Sequence, residues 1–311
     1  MTSGEPDDAH RPERRDLLLG NSAALVTIFV WGTIFPLVEQ LLRHWDIFST
    51  TAARQLIGSM ALLTLLALRQ RQFPLRRTLP WRHMIVLGFF GPVCSSTLTT
   101  LAVSLAGSVA VAIIYATGPI IAAVTSWVAF RVPLQPGIVI GIVFACVGGV
   151  ILTLGRLDDA NFTGGEGFMV LSLISWTWYS VACQRLLKGF SQLEIAAFSM
   201  LPGGLILTGI VIVLATTGLY DVRLPINLTT IALALFIGIV PIGIGNLTWH
   251  TGVSRLGVTM MAIYVNFVPV IAVLIAMAFG ARPTLFHLFG GVVIMIGVLA
   301  VQIRALRDVS R

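Results

Sequence analysis

The sequence predicts an all-α membrane protein: ten transmembrane helices, folded as two inverted five-helix repeats with both termini cytoplasmic. Three observations predict it. The chain of 311 residues is 57% hydrophobic and only 11% charged, where a soluble domain carries roughly a quarter charged residues. Apolar stretches recur at the length of a bilayer span, about 20 residues of helix. The second half of the chain also repeats the Gly, Pro and Trp pattern of the first. The composition excludes a soluble globular enzyme, and the spans leave no room for a second, soluble domain.

Residues 1–16 hold five acids and three arginines, unlike a signal peptide's basic start and short apolar core. Residues 1–19 therefore read as a cytoplasmic tail. Five apolar stretches follow at 21–42, 48–68, 81–103, 107–130 and 134–154, each bounded by charges, Pro/Gly clusters or polar turns. Five more occupy 166–187, 194–217, 229–250, 257–279 and 284–303. The ends of the third and eighth are the least distinct. The division is a first repeat over 20–154, an external linker at 155–165, a second repeat over 166–304 and a cytoplasmic tail at 305–311. Of the 20 Lys and Arg, fifteen fall in segments on the side of the N-terminus and four, Arg43, Arg156, Arg223 and Arg282, on the other. The positive-inside rule then sets both termini in the cytoplasm. The net charge of +7 reports topology rather than nucleic-acid binding. Cys94, Cys146 and Cys183 lack metal-ligand spacing and read as small core residues. Gly137, Gly141, Ala145 and Gly149 form a small-xxx-small face for close helix contact in the fifth stretch.

Shifted by 150, the sequence aligns Gly88 with Gly238, Gly107 with Gly257, Pro119 with Pro269, Pro133 with Pro283 and Gly141 with Gly291. Shifted by 145, Trp31 meets Trp176 and Arg43 meets Lys188. Coincidence of Gly, Pro and Trp at one register marks an internal repeat. Because five is odd, the second half enters the membrane in the opposite sense, which is the architecture of a carrier whose halves rock about a shared central site.

The run Trp31-Gly32-Thr33-Ile34-Phe35-Pro36, the stretch Ala106-Gly107-Ser108-Val109-Ala110 leading to Gly118-Pro119, and weaker echoes in helices 6 and 9 resemble the drug/metabolite transporter superfamily. The resemblance is to its ten-helix, two-repeat, EamA-like members and spans nearly the whole chain. It implies a multi-pass protein of the bacterial inner membrane, similar to exporters of amino acids and other metabolites, aromatic amino acids in particular. Its motifs identify the superfamily well and the substrate poorly.

Proline breaks recurring in both halves free backbone groups inside the membrane and point to a binding site. Here they are Pro92 with Pro241 and Pro119 with Pro269; packing kinks are the alternative. Asn246, Trp249 and His250 share one helix face, and Ser96, Thr99 and Thr100 occupy the equivalent face of the first half. These stripes line a pathway or form interhelical hydrogen bonds, and His250, near the cytoplasmic end, also fits an ordinary interfacial histidine. Trp31 and Trp176 sit near mid-membrane with Tyr179 on the Trp176 face, and Tyr115 and Tyr264 lie about two turns inside opposite surfaces. These aromatics border a cavity or pack in the core. Arg54 and Glu39, on neighbouring helices, are read as an ion pair or as side chains snorkelling separately.

No helix carries HExxH, GxSxG, an aspartate pair or an acidic metal cluster, so no enzymatic activity, metal or cofactor is expected. The expected partners are the bilayer and a small-molecule substrate, with no nucleic acid, and the chain is expected to act as a monomer. The central helices offer aromatics, hydroxyls and freed carbonyls near Pro119 and Pro269 rather than a cationic cluster. A small zwitterionic or neutral metabolite follows, amino acids foremost. Every one of the thirteen acids lies in a tail, a loop or a helix end, so a facilitated carrier without a carboxylate proton relay is expected. Ion-coupled transport of another metabolite and a non-transporting scaffold are the alternatives.

Overall fold

The computed structural model describes residues 14–70, 79–131, 133, 138–154 and 164–309. The start of the tail at 1–13, the linker 155–163, the basic loop 71–78 and Gly137 lie outside the described residues. Within them every regular element is a helix: α1 (Arg14–Gly32), α2 (Ile34–Leu42), α3 (Ile47–Gln70), α4 (Trp81–Gly88), α5 (Ser96–Tyr115), α6 (Gly118–Phe130) and α7 (Ile138–Leu154), then α8 (Gly165–Leu186), α9 (Gln192–Thr217), α10 (Leu228–Ile237), α11 (Gly245–Val265), α12 (Val268–Ala278) and α13 (Leu285–Val309). Two π-helical segments, π1 (Phe89–Ser95) and π2 (Gly238–Ile244), continue α4 into α5 and α10 into α11. Among the described residues, five stretches are long and apolar enough to cross a membrane: Leu17–Leu42, Ile47–Arg69, Trp81–Tyr115, Gln192–Thr217 and Leu228–Leu256, with shorter apolar helices among the rest.

Prolines set most of the interruptions, because a proline lacks the amide proton and its ring displaces the carbonyl four residues earlier. Pro36 lies four residues after Gly32, and there α1 gives way to α2, with the Thr33 hydroxyl donating to the Val30 carbonyl at 2.7 Å. Pro119 and Pro269 sit in the first turns of α6 and α12, where a missing amide proton is tolerated, and each ends the helix before it. Pro92 and Pro241 sit inside π1 and π2. At Gly107 the backbone takes φ 76°, ψ 162°, a conformation essentially restricted to glycine, so the chain bends sharply within α5. Helix α11 is not straight either. A Cβ on Gly252 would collide with the Met261 side chain, nine residues on and about 13.5 Å away along a straight helix.

The packing pairs the two halves of the chain. Helix α1 lies along α11, and α5 with π1 lies along α8; α3 packs on α9 and α7 on α13. Small residues permit the closest approaches. A Cβ on Gly203 would meet the Gly88 carbonyl at 2.7 Å, and one on Gly148 would meet the Gly290 carbonyl at 2.7 Å. The close face of α7 is therefore Gly141, Phe144 and Gly148 against Gly297 and Gly290, whereas a Cβ on Gly149, expected on that face, meets nothing within 4 Å.

Burial is distributed as it is in a bilayer. Leu68, Val128, Val139, Ile212 and Phe289 are exposed on the outside, while Thr27, Thr51, Gln55, Thr100 and Asn246 are buried between helices. A polar group among helices needs an internal partner when no water reaches it. Cys183 is a core residue as expected, but Cys146 is exposed, because α7 turns that side outward, away from α13.

Candidate functional site

Each π segment leaves carbonyls without a helical partner, and side chains of the opposite half meet them. The Trp31 indole on α1 donates to the Pro241 carbonyl at 3.1 Å. On the other side, the Ser172 hydroxyl of α8 donates to the Ser95 carbonyl at 2.8 Å, and the Ser175 hydroxyl donates to the Phe90 carbonyl. Trp31 is thereby held stacked on Trp249, rings 5.3 Å apart and 27° from parallel, within the spacing that aromatic pairs favour. Trp176 leans on Tyr179 at 5.0 Å, and the Tyr179 hydroxyl lies 2.7 Å from that of Ser199. Tyr115 meets Phe35 edge-on at 5.4 Å.

These aromatics wall a cavity of about 560 Å³ between the halves, the size of small-molecule sites in general. Trp31, Tyr115, Trp176, Tyr179, Trp249 and His250 line it, and so does Pro119. It reaches the surface at the α8–α9 turn, beside Lys188 and Gln192, both exposed. At its inner end, sharing Trp31, Tyr115, Leu173 and Trp176, lies a chamber of about 90 Å³. Ser96, Thr99 and Asn246 belong to this chamber.

The first-half stripe also ties helices together, whereas the Asn246 amide nitrogen bonds locally to the Ile242 carbonyl. Ser96 accepts from the Gln55 amide, Thr51 donates to Thr100 at 2.9 Å, and the hydroxyls of Thr99 and Ser172 are 2.7 Å apart. Tyr264 lines neither cavity; its hydroxyl donates to Asn21 at 2.6 Å. Pro92, Pro241 and Pro269 lie behind the walls rather than in them.

The Glu39–Arg54 ion pair does not form. Glu39 instead accepts from the Ser108 amide at 3.0 Å, which the bend at Gly107 withdraws from the helical ladder. Arg54, 2% exposed, turns inward and donates to the Ser96 carbonyl at 2.9 Å. Arg54 and Gln55 line the inner chamber and Asn266 the larger cavity. Sequence reasoning missed all three as site residues, although Asn266 lies in the turn between α11 and α12, three residues before Pro269.

At the other end of the molecule the way is shut. Asp46 caps α3 by accepting from the amides of Phe48 and Ser49 at 2.8 and 2.9 Å. Its second oxygen accepts from the Arg223 amide at 3.0 Å, and its own amide donates to the Arg223 carbonyl. The Trp45 indole donates to the Pro225 carbonyl at 2.9 Å, and Phe48 meets Tyr220 edge-on. The loop between α9 and α10 is thus strapped across the α2–α3 turn. A polar depression outside the strap, lined by Glu39, Arg43 and Arg223, shares no lining residue with the central cavity.

Known proteins match this chain along most of its length. It is 24% identical over 279 residues to the uncharacterized transporter YyaM of Bacillus subtilis, covering 86% of this chain and 88% of that one. It is 23% identical over 290 residues to a protein of Streptantibioticus cattleyicolor named probable terminal-alkyne amino-acid exporter, covering 91% and 93%. A crystal structure with 22% sequence identity superposes with a TM-score of 0.65 over 93% of this chain and 98% of its own, a likeness of fold. The sequence profile of one transporter family matches twice in succession, at residues 18–154 and 163–302. Two matches of one profile, end to end over a helical chain with an aromatic cavity between its halves, make this protein a multi-pass membrane transporter of the EamA-like transporter family, within the drug/metabolite transporter superfamily.

Proposed function

We propose that the protein is a facilitated carrier of small zwitterionic or neutral metabolites, amino acids including aromatic ones foremost, acting as an exporter in a bacterial inner membrane. Ten helices in two inverted repeats, with both termini cytoplasmic, provide alternating access to the cavity between the halves. The observation that carries this reading is the cavity itself: aromatic-walled, between the halves, open at the α8–α9 turn and strapped shut at the α2–α3 turn. The exchange symmetry of the contacts supports the inverted repeat, because pairing α1 with α11 and α8 with α5 is the same contact seen from either half. The charge distribution supports a cytoplasmic α8–α9 turn, so the conformation is inward-open. The relative named as an amino-acid exporter supports the substrate class.

The test is uptake and counterflow in proteoliposomes with a panel of amino acids, sugars and nucleosides, repeated under an imposed pH gradient at clamped potential. Saturable amino-acid counterflow that equilibrates and ignores the pH gradient is expected. Uphill accumulation that follows the proton gradient and is lost in His250→Ala contradicts facilitated transport, and sugar-phosphate flux without amino-acid flux contradicts the substrate class.

A further inference from the structure

The inner chamber holds an arrangement that the aromatic walls do not account for. Arg54 lies about two turns into α3, fully buried, with its Nη2 on the Ser96 carbonyl and its Nε without a hydrogen-bond partner. Beside it in the chamber wall stand two amides, each satisfied at its nitrogen and orphaned at its oxygen. The Gln55 amide donates to Ser96 and the Asn246 amide donates to the Ile242 carbonyl at 2.7 Å, yet Gln55 Oε1 and Asn246 Oδ1 have no partner. Among the described residues no Asp or Glu lines this chamber or the larger cavity.

A buried guanidinium without a facing carboxylate is costly in a membrane interior, and an orphaned buried donor or acceptor adds to that cost. One donor that favours an anion and two acceptors that favour a cation, in a single small space, match a group carrying both charges. The chamber's roughly 90 Å³ exceeds several-fold the ten to fifteen or so that one water needs. An amino-acid head group fits that space. A larger side chain does not, and must lie in the adjoining cavity.

We propose that the inner chamber is the head-group site for an α-amino acid. The carboxylate binds the Arg54 guanidinium, the ammonium is received by Gln55 Oε1 and Asn246 Oδ1 as the chamber widens to reach these buried atoms, and the side chain extends past Trp31 and Trp176 into the larger cavity. This proposal rests on the reading of the protein as an amino-acid carrier and assigns the recognition to a fixed charge that helix ends and carbonyls alone do not supply. It also predicts breadth: the head group is specified and the side chain meets only aromatic walls.

The experiment uses the full-length protein in proteoliposomes and labelled phenylalanine counterflow, with four unlabelled competitors. These are phenylalanine, 3-phenylpropionate without the ammonium, phenethylamine without the carboxylate, and N-acetylphenylalaninamide without either charge. Removing either charge is expected to weaken competition by at least tenfold or so, about the worth of a charge-assisted hydrogen bond. Arg54→Gln is expected to raise the phenylalanine half-saturation roughly 10- to 100-fold and to leave the weak inhibition by phenethylamine unchanged, a split that a general loss of structure does not produce. If Arg54→Gln fails to assemble, as judged by size-exclusion profile and melting, the competitor series on the unaltered protein decides by itself. Equal competition by the uncharged amide, or an unchanged half-saturation in a folded Arg54→Gln, overturns the proposal while leaving an amino-acid carrier. Absence of any amino-acid counterflow in the unaltered protein overturns both.

Discussion

Trp249 and Gly107 show how much a single position decides here. Trp249 contributes a cavity wall and the stack that holds Trp31. Replacing it with alanine is expected to cost about 1 to 1.5 kcal/mol of aromatic contact, a roughly five- to tenfold rise in half-saturation for phenylalanine with a smaller change for alanine; uptake of the two substrates side by side checks it. Gly107→Ala would have room, since a Cβ there meets nothing within 4 Å, but the backbone conformation remains unfavourable to it. A loss of about 1 to 3 kcal/mol, seen as a lower melting temperature in detergent, is expected without any steric clash. The tryptophans were legible as candidate wall residues because a mid-membrane Trp is away from the interface where the type collects. Arg54 was not. A sequence gives depth along a helix, and at that depth Glu39 was an available partner. What it does not give is the rotation of α3, which faces Arg54 toward the chamber, or the bend that hands Glu39 the Ser108 amide.

At the level of helices, recurring prolines announced where the regular geometry would fail, and the structure breaks or bulges at Pro92, Pro119, Pro241 and Pro269; the further break before Pro36 was not anticipated. The form of each failure was hidden. Pro119 and Pro269 restart a helix, whereas Pro92 and Pro241 widen one into π geometry, and the wide turns have hydrogen-bond partners only because Ser172, Ser175 and Trp31 arrive from the opposite half. No local pattern contains that information. The α7–α13 contact shows the same limit: small residues were correctly expected there, but Gly148 rather than Gly149 sits at the close approach. Gly148→Val is expected to destabilise by about 1 to 3 kcal/mol, as overpacking does, with Gly149→Ala nearly neutral. Parallel melting curves of the two variants check the pair.

For the molecule as a whole, the strap ties the α9–α10 loop to the α2–α3 turn, away from the cavity mouth at the α8–α9 turn. Asp46 is 2% exposed and its side chain accepts three backbone hydrogen bonds, two within α3 and one from Arg223. Asp46→Ala removes a helix cap worth about 1 kcal/mol and loosens the strap. The strapped end should then open about fivefold more often, read as faster maleimide labelling, from outside sealed vesicles, of a cysteine introduced by Thr99→Cys in a background lacking the native cysteines. Unchanged labelling would mean that Trp45 and Phe48 hold the loop without it. The strap was unreadable beforehand because its partners are backbone groups of a loop nearly 180 residues away, and backbone groups leave no mark in a sequence. A cavity that ends blind holds no unbroken file of water from one face of the membrane to the other. In this conformation the cavity is thus a stoppered pocket rather than a pore: a small ion entering at the α8–α9 turn meets the packed helices and the Asp46 strap instead of a continuous aqueous route.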